Sequence, residues 1–493
     1  MEHIFSETAY NDLIQALFLR FPSFQKVGAG AYKPGIANME FADQLMGHPH
    51  RKYKIIHVAG TNGKGSVSNM LTSVLAAQGL KVGLYTSPHI LDFRERIRIV
   101  SEISPVIARS EATWQSPVAL IPKEYIWNFL HQWRDTFDHL DMSFFEITTL
   151  LALNWFADEN VDIVVLETGL GGRLDSTNIV TPILSIITNI GLDHCDLLGD
   201  TLPEIAFEKA GIIKPTVPVV VGESQPETDA VFERKVLYTN LSEPEYMGTR
   251  TQIMSLLTFA DKTNPTLWEN HEEILSQMDL QGEYQRKNLR TVLTALDVLK
   301  GTCSKIPAKL LQVPVNSGVP AALFQENCDR TSYALIHTAS RTDFHGRWEK
   351  LSDTPYTICD IGHNEHGLKY NFAQLEKMLA GGGFTKLIIV YGSVADKDVD
   401  AALRLLPENA TYIFTQADSR RALPAEKIRD KYLAFCSDSG RTPGEIHVAT
   451  SVSSALRLSS ELAAQETAPL IYIGGSTYVV SEAVANLRCN ITN

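Results

Sequence analysis

The chain is poor in cysteine: six in 493 residues (Cys195, Cys303, Cys328, Cys359, Cys436 and Cys489), scattered and without a C-x-x-C pair. That spacing argues against a disulfide framework and a structural zinc site, so reduced thiols are expected. No stretch of eighteen apolar residues occurs, and the opening M-E-H-I-F-S-E-T-A-Y lacks a basic region followed by an apolar one. Neither a membrane span nor a leader is expected, and cytoplasmic residence follows. Dense basic runs are also missing, and a formal charge of −13 repels a nucleic-acid backbone. The expected partners are therefore small molecules, with no nucleic acid and no membrane, bound by a monomer.

What is present is a hydrophobic content of 44% in a chain too long for one core. Apolar β-branched runs alternate with helix-length periodic segments, the pattern of helices covering both faces of a mostly parallel sheet. Strands are predicted at Lys54–Val58, Val82–Thr86, Ile163–Glu167, Ile183–Thr188 and Val217–Val221. Helices are predicted at Ser66–Gln78, capped by Gly79, and at Phe144–Glu159. The pattern lapses between about Lys300 and Phe344, then restarts with strands near Tyr356–Asp360, Leu387–Val390, Tyr412–Thr415 and Leu470–Ile473. The expected fold class is α/β. A P-loop-type ATPase domain (1–300) is followed by a linker with an insertion (301–345) and a smaller Rossmann-like domain (346–493). Ser104–Pro122 reads as a surface insertion.

The most informative stretch is Lys54–Ser66, K-I-I-H-V-A-G-T-N-G-K-G-S, in which an apolar run enters a glycine-rich turn ending in lysine and serine. Gly60, Gly63 and Gly65 can adopt the angles that turn successive N–H groups inward, and the N-terminus of the following helix favours an anion. Lys64 is placed to reach the outer phosphates of a nucleotide. In the common P-loop pattern a Ser or Thr follows the lysine and holds magnesium; here Gly65 stands there, so the metal ligand must come from elsewhere. In open α/β sheets the polar groups of a site follow the carboxyl ends of the strands. Those positions carry Ser87, His89, Arg94 and Arg96, then Glu167, Arg173 and Asp175, then Asp193, His194 and Asp196, and finally Glu208 and Lys209. Singly, most such residues merely face water. Together, a carboxylate, an imidazole and a hydroxyl beside a triphosphate cradle are donors suited to magnesium.

The series H-V-A-G-T-N-G-K-G-S, T-S-P-H, S-F-F-E, L-E-T-G-L-G-G-R-L-D-S-T-N, L-D-H-C-D-L-L-G and E-K-A-G-I-I-K-P resembles, in order, the motifs of folylpolyglutamate synthase and dihydrofolate synthase within the ATP-dependent Mur ligase superfamily. The resemblance implies that Gly60, Thr61, Asn62, Gly63, Lys64, Gly65 and Ser66 hold the ATP phosphates. It implies that Ser87 and Glu167 hold a first magnesium, that His194 serves a second, and that Lys209 is carbamylated. Carbamylation requires a neutral amine, and hence burial or a positive neighbour. Gln285 and Asn288 of G-E-Y-Q-R-K-N-L match adenine-side residues, and Arg347 of H-G-R-W-E-K matches an arginine that reaches the phosphates. C-D-I-G-H-N-E-H departs from the usual D-G-A-H-N-P at Ile361, Gly362 and Glu365. It retains Asp360 as a nucleotide contact, His363 as an active-site residue, and Asn364. Asp396, Lys397 and Arg421 fit the remaining second-domain motifs. Ser143, Phe145 and Asp175 correspond to positions that bind the pterin rings, for which an aromatic platform and a carboxylate are suited. Phe145 can equally be read as a core residue.

The implied activity joins the carboxylate of dihydropteroate, or of a reduced folate bearing glutamate, to the amino group of L-glutamate through an acyl phosphate, with ATP as cosubstrate. The glutamate is expected near His363. A bifunctional enzyme is expected. The alternatives are tail extension alone or, in another class, a non-catalytic ATP-binding module. A peptidoglycan ligase would need a further domain ahead of the phosphate loop, where only some fifty residues stand.

Overall fold

Short β-branched runs bounded by glycine and polar turns form two separate sheets. The computed structural model describes residues 5–20, 33, 35–102, 117–242, 249–265, 268–305 and 328–489. They divide into two compact units: residues 1–89, 94–279 and 285–344 make the first, and 90–93, 280–284 and 345–493 the second.

The strands of the first unit are β1 (Lys54–Ala59), β2 (Val82–Tyr85), β3 (Ile97–Val100), β4 (Val118–Leu120), β5 (Ile163–Glu167), β6 (Leu184–Ile187), β7 (Val219–Val221) and β8 (Leu257–Phe259). Their order across the sheet is β4-β3-β2-β5-β1-β6-β7-β8. Only β3 runs against the others, pairing antiparallel with both β2 and β4. Because β2, β5, β1 and β6 are parallel, their carboxyl ends share one rim, with Tyr85 beside Leu166, Val58 beside Glu167 and Ala59 beside Ile187. One face of this sheet buries Ala59, Ile187, Val219 and Val221 against Ile205, Phe232 and Val236.

Helix Lys64–Ala77 is buried nearly all round, including Ser66, Ser68, Asn69, Thr72 and Ser73. A helix with polar residues on every side needs partners that satisfy them, and the chain after 300 supplies some. Helix Gln285–Lys305 and helices Cys328–Ile336 and Thr338–Thr342 pack against it, and Ser73 Oγ donates to the Ala334 carbonyl at 2.7 Å. The reading of 301–345 as a linker is corrected for residues 328–344, which are structural elements of the first unit; 306–327 lie outside the described residues. Likewise Val118–Leu120, assigned to a surface insertion, is the edge strand β4, and Ile121 behind it is fully buried. The part from 104 to 116 lies outside the described residues.

In the second unit the strands are β9 (Glu349–Asp353), β10 (Tyr356–Asp360), β11 (Lys386–Tyr391), β12 (Ala410–Thr415), β13 (Ile446–Ala449) and β14 (Pro469–Gly474). They lie in the order β13-β12-β11-β14-β10-β9, all parallel but β9. Helices cover both faces, with Phe372, Leu403 and Tyr432 in one core and Val452, Val480 and Val484 in the other. Among the described residues no helix is long and apolar enough to cross a membrane.

Candidate active site

The glycine-rich turn is held in shape by the end of β6. Thr61 N donates to the Asn189 carbonyl and Asn62 N to Asn189 Oδ1, both at 2.9 Å, while Thr188 Oγ1 donates to the Asn62 carbonyl at 2.5 Å. Two glycines are obligatory. A Cβ on Gly60 (φ +148°) would lie 1.9 Å from Thr188 Oγ1, and one on Gly63 (φ +82°) 2.3 Å from Asn288 Oδ1. The second contact places Asn288 against the loop, and Asn288 donates to Gln285, which donates to Ser66 Oγ. Gln285, Asn288, Gly63 and Ser66, far apart in sequence, therefore meet at the start of helix Lys64–Ala77.

Two lysines converge behind the turn. Lys64 Nζ donates to the Gly60 carbonyl at 2.9 Å and to that of Thr61 at 3.3 Å; Lys209 Nζ donates to the same Gly60 oxygen at 3.0 Å. Lys209 is 4% exposed, and burial together with the Lys64 ammonium pushes it down to about 7, against the pull of Asp193 and Asp175. Such a lysine is substantially neutral at physiological pH.

Of the expected metal donors, Ser87 and Glu167 are brought together. Ser87, just beyond β2, and Glu167, the last residue of β5, stand on adjacent strands, and Ser87 N donates to Glu167 Oε2 at 3.3 Å. The same oxygen lies beside the phosphate turn, 3.8 Å from where a Cβ on Gly65 would sit. Glu167 is 3% exposed, so its carboxylate faces a loop rather than water. His194 is held in the left-handed region (φ +55°) at the start of a short helix, its Nε2 3.8 Å from Asp193 Oδ2. Among the described residues no group of three or more His, Cys, Asp or Glu side chains is gathered to hold a metal. The remaining ligands would then come from water and phosphate, as magnesium prefers.

The residues expected at a pterin divide. Phe145 is half-buried at the rim, its ring filling the place where a side chain on Gly169 would stand (2.4 Å) and 5.8 Å from the Tyr85 ring. Ser143 caps helix Phe144–Asp158: its Oγ accepts from Glu146 N at 3.3 Å, and Glu146 Oε2 accepts from Ser143 N at 2.6 Å. The S-x-x-E spacing is thus a capping box. Asp175 is 3% exposed and accepts from Leu170 N (2.8 Å), Thr177 N (3.0 Å) and Thr177 Oγ1 (2.6 Å). Burial raises its pKa despite these donors. Thr177 in turn meets His57 Nε2 at 2.8 Å. Since the Thr177 proton goes to Asp175, His57 donates from Nε2, which leaves Nδ1, buried and without a hydrogen-bond partner, as the bare nitrogen.

In the second unit Asp360 is an anchor. Its Oδ2 accepts from Tyr284 Oη (2.6 Å) and Trp348 N (2.8 Å), and its Oδ1 from Gly362 N (2.7 Å) and Asn371 Nδ2 (2.8 Å). Four donors fill the usual acceptor sites of a carboxylate. The side chain expected to touch nucleotide is occupied by protein, and it fixes the backbone that bears Arg347 and His363. Arg347 Nη1 donates to the Gly346 carbonyl at 3.3 Å, and His363 Nδ1 lies 3.0 Å from the Ile361 carbonyl. Asn364 caps helix Glu365–Ala380 by accepting from Gly367 N, so Glu365 places an acidic side chain in the first turn, where the helix dipole favours it. Arg421 forms an ion pair with Asp396.

Arg98, which the sequence reading missed, is a charged side chain buried in the core of the first unit, at 1% exposure. The alternation of I-R-I-V carries its only signal.

Residues 138–296 match the Mur ligase middle domain, and residues 346–476 the glutamate ligase domain of Mur ligases. The folylpolyglutamate synthase of Lacticaseibacillus casei is 34% identical over 383 residues, 77% of this chain and 80% of that protein. The dihydrofolate synthase/folylpolyglutamate synthase of Bacillus subtilis (strain 168) is 31% identical over 406 residues, 81% and 84% of the two. The structure of Mycobacterium tuberculosis folylpolyglutamate synthase complexed with ADP and AMPPCP has the same fold, with a TM-score of 0.72 over 98% of this chain and 99% of that one at 23% identity. With its phosphate turn, paired lysines and strand-end carboxylate in place, the chain belongs to the folylpolyglutamate synthase/dihydrofolate synthase family of Mur ligases.

Proposed function

We propose that this protein is an ATP-dependent ligase that forms an amide between the carboxylate of dihydropteroate, or of a folate already bearing glutamate, and the amino group of L-glutamate. The observation that carries the reading is the convergence of Lys64 and Lys209 on the carbonyl of Gly60, within a turn whose glycines admit no side chain. A glycine turn at the start of a helix, with the Lys64 ammonium beside it, forms a site for a polyphosphate.

A carboxylate is a poor electrophile because its oxygen is a poor leaving group. Attack of that oxygen on the γ-phosphorus of ATP gives an acyl phosphate and expels ADP. The glutamate nitrogen then attacks the acyl carbon, phosphate leaves, and the nitrogen loses its proton. The protein's part is to position the reactants and balance charge. Gly60–Ser66 cradle the phosphates and Lys64 meets the charge that develops on them. Asn288 takes the adenine side, and the motif match assigns Arg347 and His363 to the reaction. Asp360 contributes by anchoring their segment. Phe145 offers the pterin a ring face, while Ser143 and Asp175 shape the backbone around it.

Magnesium, held by Ser87 and Glu167 with His194 serving a second ion, would supply neutralisation of phosphate charge. Lys209 is assigned as a carbamate: its neutral amine adds to carbon dioxide and releases a proton, placing an anion beside Lys64. The enzyme is read as a cytoplasmic monomer.

The test offers the purified protein ATP, magnesium and L-glutamate with dihydropteroate or with tetrahydrofolate, and measures phosphate release and product mass. Product from both acceptors is the expected result. Extension of tetrahydrofolate alone would overturn bifunctionality, and phosphate release from neither would overturn the ligase.

A further inference from the structure

Arg98, on β3, is linked to the phosphate turn through Asn69 and touches none of the groups assigned to substrate. Its Nη1 donates to the carbonyls of Thr342 (2.5 Å) and Asp343 (2.8 Å), and its Nη2 to Thr86 Oγ1 (3.0 Å) and Asn69 Oδ1 (3.4 Å). Asn69 Nδ2 completes a path by donating to the Gly65 carbonyl at 2.7 Å. Thr86 immediately precedes Ser87, and a Cβ on Gly65 would meet the Phe344 ring at 3.3 Å. Residues 342–344 are the last of the first unit before the chain passes into the second. Asp343 holds a left-handed backbone (φ +53°) there, which ends helix Thr338–Thr342 and turns two carbonyls toward the guanidinium.

A guanidinium at 1% exposure is a costly way to hold a loop unless its position matters. Burial lowers Arg98 only to about 10, so it stays charged at neutral pH. Its Nε has no hydrogen-bond partner, so the planar fork is aimed at these four acceptors and no other.

We propose that Arg98 is a positioning residue for the ATP reaction, joining the chain segment 342–344 to Gly65 of the phosphate turn through Asn69 and to the Ser87 strand end through Thr86. The consequence is that nucleotide on the turn and the order of 342–344 stabilise one another through this side chain. The inference rests on the ATP site proposed above, but its readouts are nucleotide binding and backbone protection rather than product formation.

Hydrogen exchange of the full chain with and without Mg-ADP tests it, alongside calorimetric ADP affinity and KM and kcat for ATP. In the unmodified protein ADP slows exchange at 342–344. In Arg98→Met that protection is lost and ADP affinity falls about tenfold, a coupling of ordinary size. Arg98→Lys, which keeps charge without the fork, recovers little. Because Arg98→Met can fail to fold, Asn69→Ala provides an independent reading: it cuts the Arg98–Asn69–Gly65 path, leaves Arg98 its bonds to Thr86 and to the carbonyls of Thr342 and Asp343, and is expected to raise KM for ATP several-fold at nearly unchanged kcat, with ADP no longer protecting 342–344. Wild-type ADP affinity with retained protection in Asn69→Ala, or full recovery in Arg98→Lys, would overturn the proposal. Absence of ADP binding to the unmodified chain would instead overturn the ATP site itself.

Discussion

Lys64 and Lys209 donate to one oxygen, the carbonyl of Gly60, from 4 and 149 residues further along the chain. Burial first, and then repulsion from the Lys64 ammonium on the same acceptor, lowers Lys209 to about 7. The folded chain then binds fewer protons at Lys209 than the unfolded chain between about pH 7 and 10.5. This contribution makes stability rise with pH across that window and fall towards its lower end. Lys209→Met is expected to flatten the slope, measured as the denaturation midpoint against pH. The same variant should lose the carbamate resonance that 13C-bicarbonate gives the unmodified protein in NMR.

Gly63→Ala is expected to abolish ATP turnover while leaving the fold intact. The left-handed backbone costs an alanine about 1–2 kcal/mol, and the methyl group would collide with Asn288 Oδ1. Calorimetry should show nucleotide affinity reduced by at least about tenfold, since each 1.4 kcal/mol is a factor of ten.

His57 answers acid. Burial, with Lys214 nearby, lowers it to about 3, so the native chain keeps it neutral while the unfolded chain protonates it near its ordinary value of 6.5. Stability from this residue is complete above 6.5 and is lost as the pH falls towards 3. Asp175, raised by burial, works in the opposite sense at the acidic end and offsets part of the loss. His57→Gln should shift the midpoint of acid unfolding, followed by circular dichroism, to lower pH.

Asp360→Ala should destabilise the second unit rather than simply weaken ATP binding. Four donors lose their acceptor, and the cost is on the order of 3 kcal/mol or more. Thermal melting reports this directly. An unchanged melting temperature with lost nucleotide affinity would favour the direct contact that the motif suggested.

Ser143→Ala removes a helix cap, worth about 1 kcal/mol. If the hydroxyl serves only as a cap, KM for dihydropteroate stays within about twofold; a larger rise, with Tm unchanged, would assign it to substrate.

The strands that bear the site were legible because each is short, apolar and closed by turn residues. Ile163–Glu167 and Tyr356–Asp360 coincide with β5 and β10. Gly79, expected to end the first long helix, follows it with φ +88°. The edge strands β4, β8, β9 and β13, and β3 beside β4, were not read, since three to five residues with mixed polarity carry no period of their own. Helices Cys328–Ile336 and Thr338–Thr342 were mistaken for linker because the signal for them lies elsewhere: buried serines and threonines on helix Lys64–Ala77 demand a cover that only distant sequence supplies.

Residue type and local spacing alone determined the phosphate turn, the helix behind it and the strand-end carboxylate, because backbone angles and a parallel sheet's rim follow from neighbouring residues. Which polar side chains remain for substrate was decided by tertiary structure. Asp175, Asp360 and Ser143 look like ligands in one dimension, yet their oxygens are taken by donors that packing brings to them. Arg98 looks like one more surface cation until β3 is placed inside, where the fork finds two carbonyls 244 and 245 residues away. Hydrogen-bond saturation is a property of the folded neighbourhood, and no local pattern encodes it.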